Sequence, residues 1–213
     1  MAAVIEQIVA DCAVRRLGRV AYEPTRAAMR AFTEARTATT ADELWLLEHF
    51  PIYTLGQGAD TSHGPRLDNG IPVVKAERGG DVTYHGPGQL VLYTLIDLGR
   101  RRLGVKRFVA LLEQTVIDLL GSHLIEAARK AGAPGVYVAG AKIAALGIRV
   151  TRGRAYHGLA LNVAMDLTPF EAIDPCGYAG LKVTQMQDLG IGANPDAVGT
   201  QLTEILQEHL VNG

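Results

Sequence analysis

GVYVAGAKIAALGIRVTRGRAYHGLALNVAM, residues 135–165, is the stretch on which the fold turns. Three strand-like runs, 135–138, 142–150 and 157–165, follow one another with only small or polar residues at the joints, so hairpins are their natural connection. Strands joined this way run antiparallel, which argues against a strictly repeating βαβ chain. Upstream, Val105, Phe108, Val109, Leu112, Val116, Leu119 and Leu120 recur at steps of three and four, and this spacing predicts an amphipathic helix over 105–120 lying across a sheet. The runs 43–50, 72–76 and 90–98 are short, rich in Leu, Val and Tyr and bounded by Gly or Pro, and they read as strands. Residues 24–36, rich in Ala and Arg with Pro24 suited to a first turn, read as a helix. At the other end Asn194-Pro195-Asp196 opens a capped helix that continues through Val198, Leu202, Ile205 and Leu206. The order of elements predicts an α/β (α+β) domain, a mixed β-sheet flanked by helices, occupying residues 1–213 as one unit.

The bulk composition narrows the function classes. A chain of 213 residues that is 48% apolar can bury one sizeable core. Its 21 Lys and Arg balance 22 Asp and Glu, so no net field attracts nucleic acid or an anionic membrane. Cys12 and Cys176 are the two cysteines and lie far apart, which argues against both a disulfide framework and a zinc site and fits a reducing compartment. Glu6 and Asp11 interrupt the first twenty residues, so the order of a secretory signal is missing, and no window approaches the roughly 18 apolar residues of a span. These features predict a soluble, cytoplasmic protein. The lack of a long apolar stripe predicts a monomer.

Chemistry is concentrated in three places. The run Glu77-Arg78-Gly79-Gly80-Asp81-Val82-Thr83-Tyr84-His85-Gly86-Pro87-Gly88-Gln89 holds four glycines and a proline and reads as a loop between strands. Consecutive amides in such a loop can surround an anion or a developing oxyanion, although glycine pairs alone mark ordinary turns. It matches neither the phosphate-binding loop nor the dinucleotide fingerprint. Cys176, in Asp174-Pro175-Cys176-Gly177-Tyr178, stands among turn formers; a nucleophilic role requires a neighbouring cation or base, whereas Cys12 is expected to pack. Lys142, within the small and apolar run 140–147, is either solvent-facing on an alternating strand or partly buried. His157 and His63 are isolated, and such histidines are more often structural or solvated than catalytic.

Taken together, Arg78 to Leu90, Lys142-Ile143-Ala144-Ala145-Leu146-Gly147, His157-Gly158-Leu159-Ala160-Leu161-Asn162 and Asp174-Pro175-Cys176-Gly177 resemble, in content and order, the octanoyl-carrier-protein:protein octanoyltransferases of lipoate biosynthesis. The resemblance implies the fold shared with biotin and lipoate protein ligases. It implies Cys176 as the acyl-accepting nucleophile and Lys142 as its acid/base partner. Glu77, Arg78, Gly79, Gly80, Asp81, Val82, Thr83, Tyr84 and His85, with Ala145, Leu146, Gly147, His157, Gly158, Leu159 and Ala160, would then line the acyl and thioester pocket. The implied partners are acyl carrier protein, whose phosphopantetheine arm carries the donor, and the lipoyl domains or glycine-cleavage carrier protein that receive the group. No cofactor or metal is implied. The rival readings are an ATP-dependent ligase of the same fold, a docking module without catalysis and a thiol hydrolase.

Overall fold

A computed structural model describes residues 5–9, 12–60, 64–66, 68–174, 180–192 and 194–212, with the backbone alone for 5–9 and 212. In chain order the elements are β1 (Ile5–Val9), β2 (Cys12–Val20), α1 (Tyr22–Ala35), β3 (Asp42–His49), β4 (Ile52–Leu55), β5 (Val73–Lys75), β6 (Val82–His85), β7 (Gln89–Asp97), α2 (Val105–Ser122), β8 (Ala128–Arg129), β9 (Val136–Val138), β10 (Ala141–Thr151), β11 (Arg154–Asn162) and α3 (Pro195–Asn212). Eight strands form one mixed sheet in the order β1-β2-β3-β7-β11-β10-β9-β8, and β5-β4-β6 form a second. Among the described strands of the large sheet only β2 and β3 pair in parallel, with α1 as the crossover between them.

Both faces of the central strands are covered, which explains their nearly continuous apolar runs. Leu44 and Leu46 of β3, Leu90 and Leu92 of β7 and Leu159 and Leu161 of β11 meet Phe108, Leu112 and Val116 of α2 and Val198, Leu202 and Leu206 of α3. The alternate residues Trp45, Leu47, Val91, Tyr93 and Leu95 join Met29 of α1 on the opposite face. The three expected helices are present as α1, α2 and α3, and the Asn194 side chain accepts from Ala197 N–H at 2.9 Å to cap α3. The expected hairpins are present too. Ala139 and Gly140, then Arg152 and Gly153, take φ of 47°, 83°, 50° and 76°, the positive-φ pairs of type I′ turns.

One expectation is corrected, and four strands carried no signal in the sequence. The run 77–89 is not a loop throughout: Val82–His85 is strand β6, because Val, Thr and Tyr pair in register with β4, Leu55 opposite Val82 and Ile52 opposite His85. Strands β1, β2, β4 and β8 carry no clear periodic signal. The Arg-rich β2 is held by its parallel partner β3, β4 follows directly on Pro51, and β8 has two residues.

The start of β3 is tied down by Asp42, which lies fully buried beneath three arginines. Arg36, Arg100 and Arg101 all reach its carboxylate, the last two at 2.8 and 2.6 Å, and the Asp97 amide donates at 2.8 Å. Burial alone would raise the Asp42 pKa, but the bonds from Arg36, the Asp97 amide and Arg101 hold it below the usual carboxylate range. Removing the carboxylate takes its counter-ion from the fully buried Arg36 guanidinium. Asp42→Ala is therefore expected to cost about 3–5 kcal/mol of unfolding free energy in urea titration.

Candidate functional site

The two sheets meet along a seam of glycines. Gly79 N–H donates to the Ile148 carbonyl of β10 at 2.9 Å, and Gly58 N–H to the Gly80 carbonyl at 3.0 Å. A Cβ at Gly147 would stand 2.7 Å from Gly79 O, and one at Gly56 would stand 2.2 Å from Gly80 O, so neither position admits a side chain. Arg78 braces the seam from within, its guanidinium donating to Thr54 O and Thr54 Oγ1, each at 2.7 Å, and to Gly79 O at 3.0 Å.

Behind the seam lies a narrow, largely apolar cavity of about 40 Å³. Arg78, Gly80, Asp81, Val82, Thr83, His85, Ala145, Leu146, Gly147, His157, Gly158, Leu159 and Ala160 line it, so most of the residues singled out from the sequence converge there. Glu77, Gly79 and Tyr84 do not. Gly79 belongs to the outer hollow, Tyr84 packs between Tyr53 and Phe170, and Glu77 sits behind His157. Tyr22, Val91 and Tyr93 also line the cavity. Sequence reasoning passed over them because, taken singly, they are ordinary helix-start and core-strand residues; only tertiary packing brings them to one wall. The outer hollow shares Gly80, Asp81, Leu146 and Gly147 with the cavity and continues to Gly132, Ala133 and Pro134.

At Pro134 the structure decides between the two readings of Lys142. The side chain is buried, 4% exposed, and its Nζ donates to the Pro134 carbonyl at 3.1 Å while standing 5.4 Å from the Tyr137 ring centroid. A register shift between Lys142 and Ala144 in the β9–β10 pairing marks a bulge there, a usual means of re-aiming a side chain. Gly135 makes the arrangement possible: at φ 142°, a Cβ on it would lie 2.7 Å from Lys142 Cε. The Gly135 amide is anchored on Glu113 of α2 at 3.0 Å. Lys142 N–H donates to Lys182 O at 2.8 Å, and Thr184 N–H to Lys142 O at 3.0 Å. Cys176 and His63 lie outside the described residues, and Cys12 is buried in the core as expected.

Under the cavity three histidines pack with Tyr22, Tyr93 and Tyr156. His49 Nδ1 contacts the Val20 carbonyl at 2.9 Å, so it carries the proton and Nε2 accepts from Tyr93 OH at 2.7 Å. Gln89 donates through Nε2 to Tyr84 O and Asn162 Oδ1, which leaves its Oε1 to accept from His85 Nδ1–H at 2.7 Å. Burial pushes His49 down to about 4 and, with the neighbouring His49, pushes His85 down to about 3. Burial also lowers His157, against the opposing pull of Glu77, whose own carboxyl the His157 imidazole holds down to about 2. Among the described residues no group of three His, Cys, Asp or Glu is placed to hold a metal ion, and no helix is long and apolar enough to cross a membrane.

Residues 21–207 match the family of the lipoyl protein ligase A/B catalytic domain. The chain is 61% identical over 197 residues to an octanoyltransferase of Aromatoleum aromaticum, covering 92% of this chain and 85% of that protein. Among solved structures it resembles a lipoate-protein ligase A bound with ATP, with a TM-score of 0.74 at 15% identity over 94% of this chain and 85% of the other. It also resembles the biotin protein ligase of Aquifex aeolicus, with a TM-score of 0.62 at 13% identity over 93% and 70%. The last two likenesses establish the expected fold.

The neutral histidines make stability depend on pH. Their folded pKa values lie below the unfolded value of 6.5, so the unfolded chain binds more protons and stability falls as pH drops from 6.5 toward 4. His49 alone contributes a loss of about 3 kcal/mol by pH 4. Glu77 acts lower: its depressed pKa stabilises the fold above 4.5, and that contribution fades as pH falls from 4.5 toward 2. Urea midpoints at pH 7 and pH 4.5 are expected to differ, the acid value being lower; equal midpoints would contradict neutral burial.

Proposed function

The chain belongs to the octanoyltransferases of the lipoyl protein ligase A/B catalytic-domain family, and from that membership we propose that it moves an octanoyl or lipoyl group from acyl carrier protein to a lysine of a lipoyl domain or glycine-cleavage carrier protein through a thioester on Cys176. The observation that carries this reading is the enclosed amine of Lys142, held at Pro134 on the rim of a hollow that shares wall residues with an apolar cavity. Cys176 precedes by six positions Lys182, whose carbonyl accepts from the Lys142 amide, so the proposed partners lie within chain reach of one another.

In the first half-reaction the Cys176 thiol gives its proton to Lys142 and its sulfur attacks the acyl carbonyl of the donor thioester. The tetrahedral oxyanion collapses with loss of the pantetheine sulfur, which takes a proton back from the Lys142 ammonium. In the second, the neutral amine of the acceptor lysine attacks, and Lys142, neutral again, takes the proton that it releases and passes it to the departing Cys176 sulfur. The C–N bond forms, the C–S bond to Cys176 breaks, and the thiol is restored. Amides at the glycine seam suit the oxyanion, each such donor being worth roughly 3 kcal/mol. The cavity supplies positioning: at about 0.8 kcal/mol per buried CH₂, an octanoyl chain gains several kcal/mol. Thioester exchange is nearly neutral and thioester to amide runs downhill, so no nucleotide is required.

The test is transfer from octanoyl carrier protein to a lipoyl domain without ATP, by the wild type and by Lys142→Ala and Cys176→Ser. The wild type is expected to transfer, and each variant to lose at least about a hundredfold in rate. An absolute need for ATP would favour the ligase reading, and full turnover by Cys176→Ser would refute the covalent route.

A further inference from the structure

The amine of Lys142 is held by one half of a peptide group whose other half is held by α2. Lys142 Nζ donates to the Pro134 carbonyl at 3.1 Å, and the next amide in the chain, Gly135 N–H, donates to Glu113 Oε1 at 3.0 Å. Both belong to the planar Pro134–Gly135 unit, and in a trans peptide the carbonyl and the N–H point in opposite directions. Glu113 and Lys142 therefore stand on either side of a single rigid plate. The other carboxylate oxygen of Glu113 accepts from Arg129 Nε at 3.1 Å, and the Tyr137 hydroxyl donates at 3.0 Å to the Ala133 carbonyl, one peptide earlier. Glu113 is buried on the apolar face of α2 beside Leu112 and Val116, where a carboxylate is costly unless its oxygens are engaged.

We propose that Glu113 is a positioning residue for acyl transfer: it fixes the Pro134–Gly135 peptide and, through that peptide, the place of the Lys142 amine. The inference rests on the acyl-transfer reading of Lys142. An amide that donates to a carboxylate makes a stronger bond than one that donates to a neutral group, and it leaves its own carbonyl the better acceptor. Gly135 has no side chain to lock its turn, and its φ of 142° lies in the region that favours glycine, so the peptide keeps its tilt through its partners. With the Glu113 oxygen withdrawn, the plate can rotate about its flanking bonds and carry the Pro134 carbonyl off the amine. Proton transfer depends steeply on such placement, a shift of about 1 Å costing up to about a hundredfold. The rival role is structural, with Glu113 and Arg129 acting as a staple between α2 and β8.

The experiment takes the full chain as wild type, Glu113→Asp, Glu113→Gln and Arg129→Ala. The first variant keeps the charge for Arg129 but falls a methylene short of Gly135, the second keeps the reach and an acceptor oxygen, and the third breaks the staple alone. Two quantities are read: kcat and KM with octanoyl carrier protein, and the rate at which formaldehyde and borohydride methylate Lys142, followed by peptide mapping. Glu113→Asp is expected to lower kcat about tenfold or more with KM within about twofold, and to speed Lys142 methylation about fivefold or more. Glu113→Gln and Arg129→Ala are expected to keep both within about threefold of the wild type. Unchanged kcat and methylation in Glu113→Asp overturn the inference, and so does an Arg129→Ala enzyme that loses as much kcat as Glu113→Asp, which identifies the staple. A loss of about tenfold in Glu113→Gln overturns it without the shorter variant. Methylation involves no acyl chemistry. Faster labelling in Glu113→Asp, in a protein whose Lys142→Ala variant still transfers, would keep Glu113 as the holder of the amine while the role of Lys142 in transfer failed.

Discussion

The hydrogen bond from Gly79 to Ile148, made across a gap that no side chain can enter, is the constraint on which the site depends. It holds the small sheet against β10 at backbone distance. Gly56 and Gly147 leave room on either side, and Arg78 fills what lies beneath. Behind this seam lies the cavity, between β6 on one wall and β7, β10 and β11 on the other. Glycine here serves close approach as well as turning.

Lys142 depends on the same device a short way along β10. A lysine in a small, apolar strand cannot by itself choose between water and the interior. The missing Cβ of Gly135 settles the matter by opening a slot, and Glu113 of α2 holds that turn in place through the Gly135 amide. The site is therefore built from α2 as well as from the strands. Beneath it the three histidines stay neutral in an interior that also holds Tyr22, Tyr93 and Tyr156, and the fold accepts acid sensitivity in consequence.

The helices at 105–122 and 195–212 and the hairpins after Pro134 were legible in the sequence because each carries local information: periodic apolar residues, a capping Asn194, glycine at the second turn position. Strand β2 was not legible, since its arginines read as surface until β3 is placed beside it. In the site, the glycine runs and Lys142 stood out by residue type, whereas Tyr22, Val91 and Tyr93 did not, because nothing local separates a cavity wall from a core. His157 is the converse case. An isolated histidine in the sequence proves almost wholly buried, at φ 62°, facing Glu77 from the far side of the cavity.

The most direct measurement is the intact mass of the protein after exposure to octanoyl carrier protein, followed by peptide mapping, for the wild type and Lys142→Ala. A single octanoyl group on Cys176, accumulating quickly in the wild type and slowly in the variant, is the expected result. Transfer to a lipoyl domain that proceeds with no acyl group ever found on Cys176 would contradict the thioester route and the role proposed for the buried Lys142 amine.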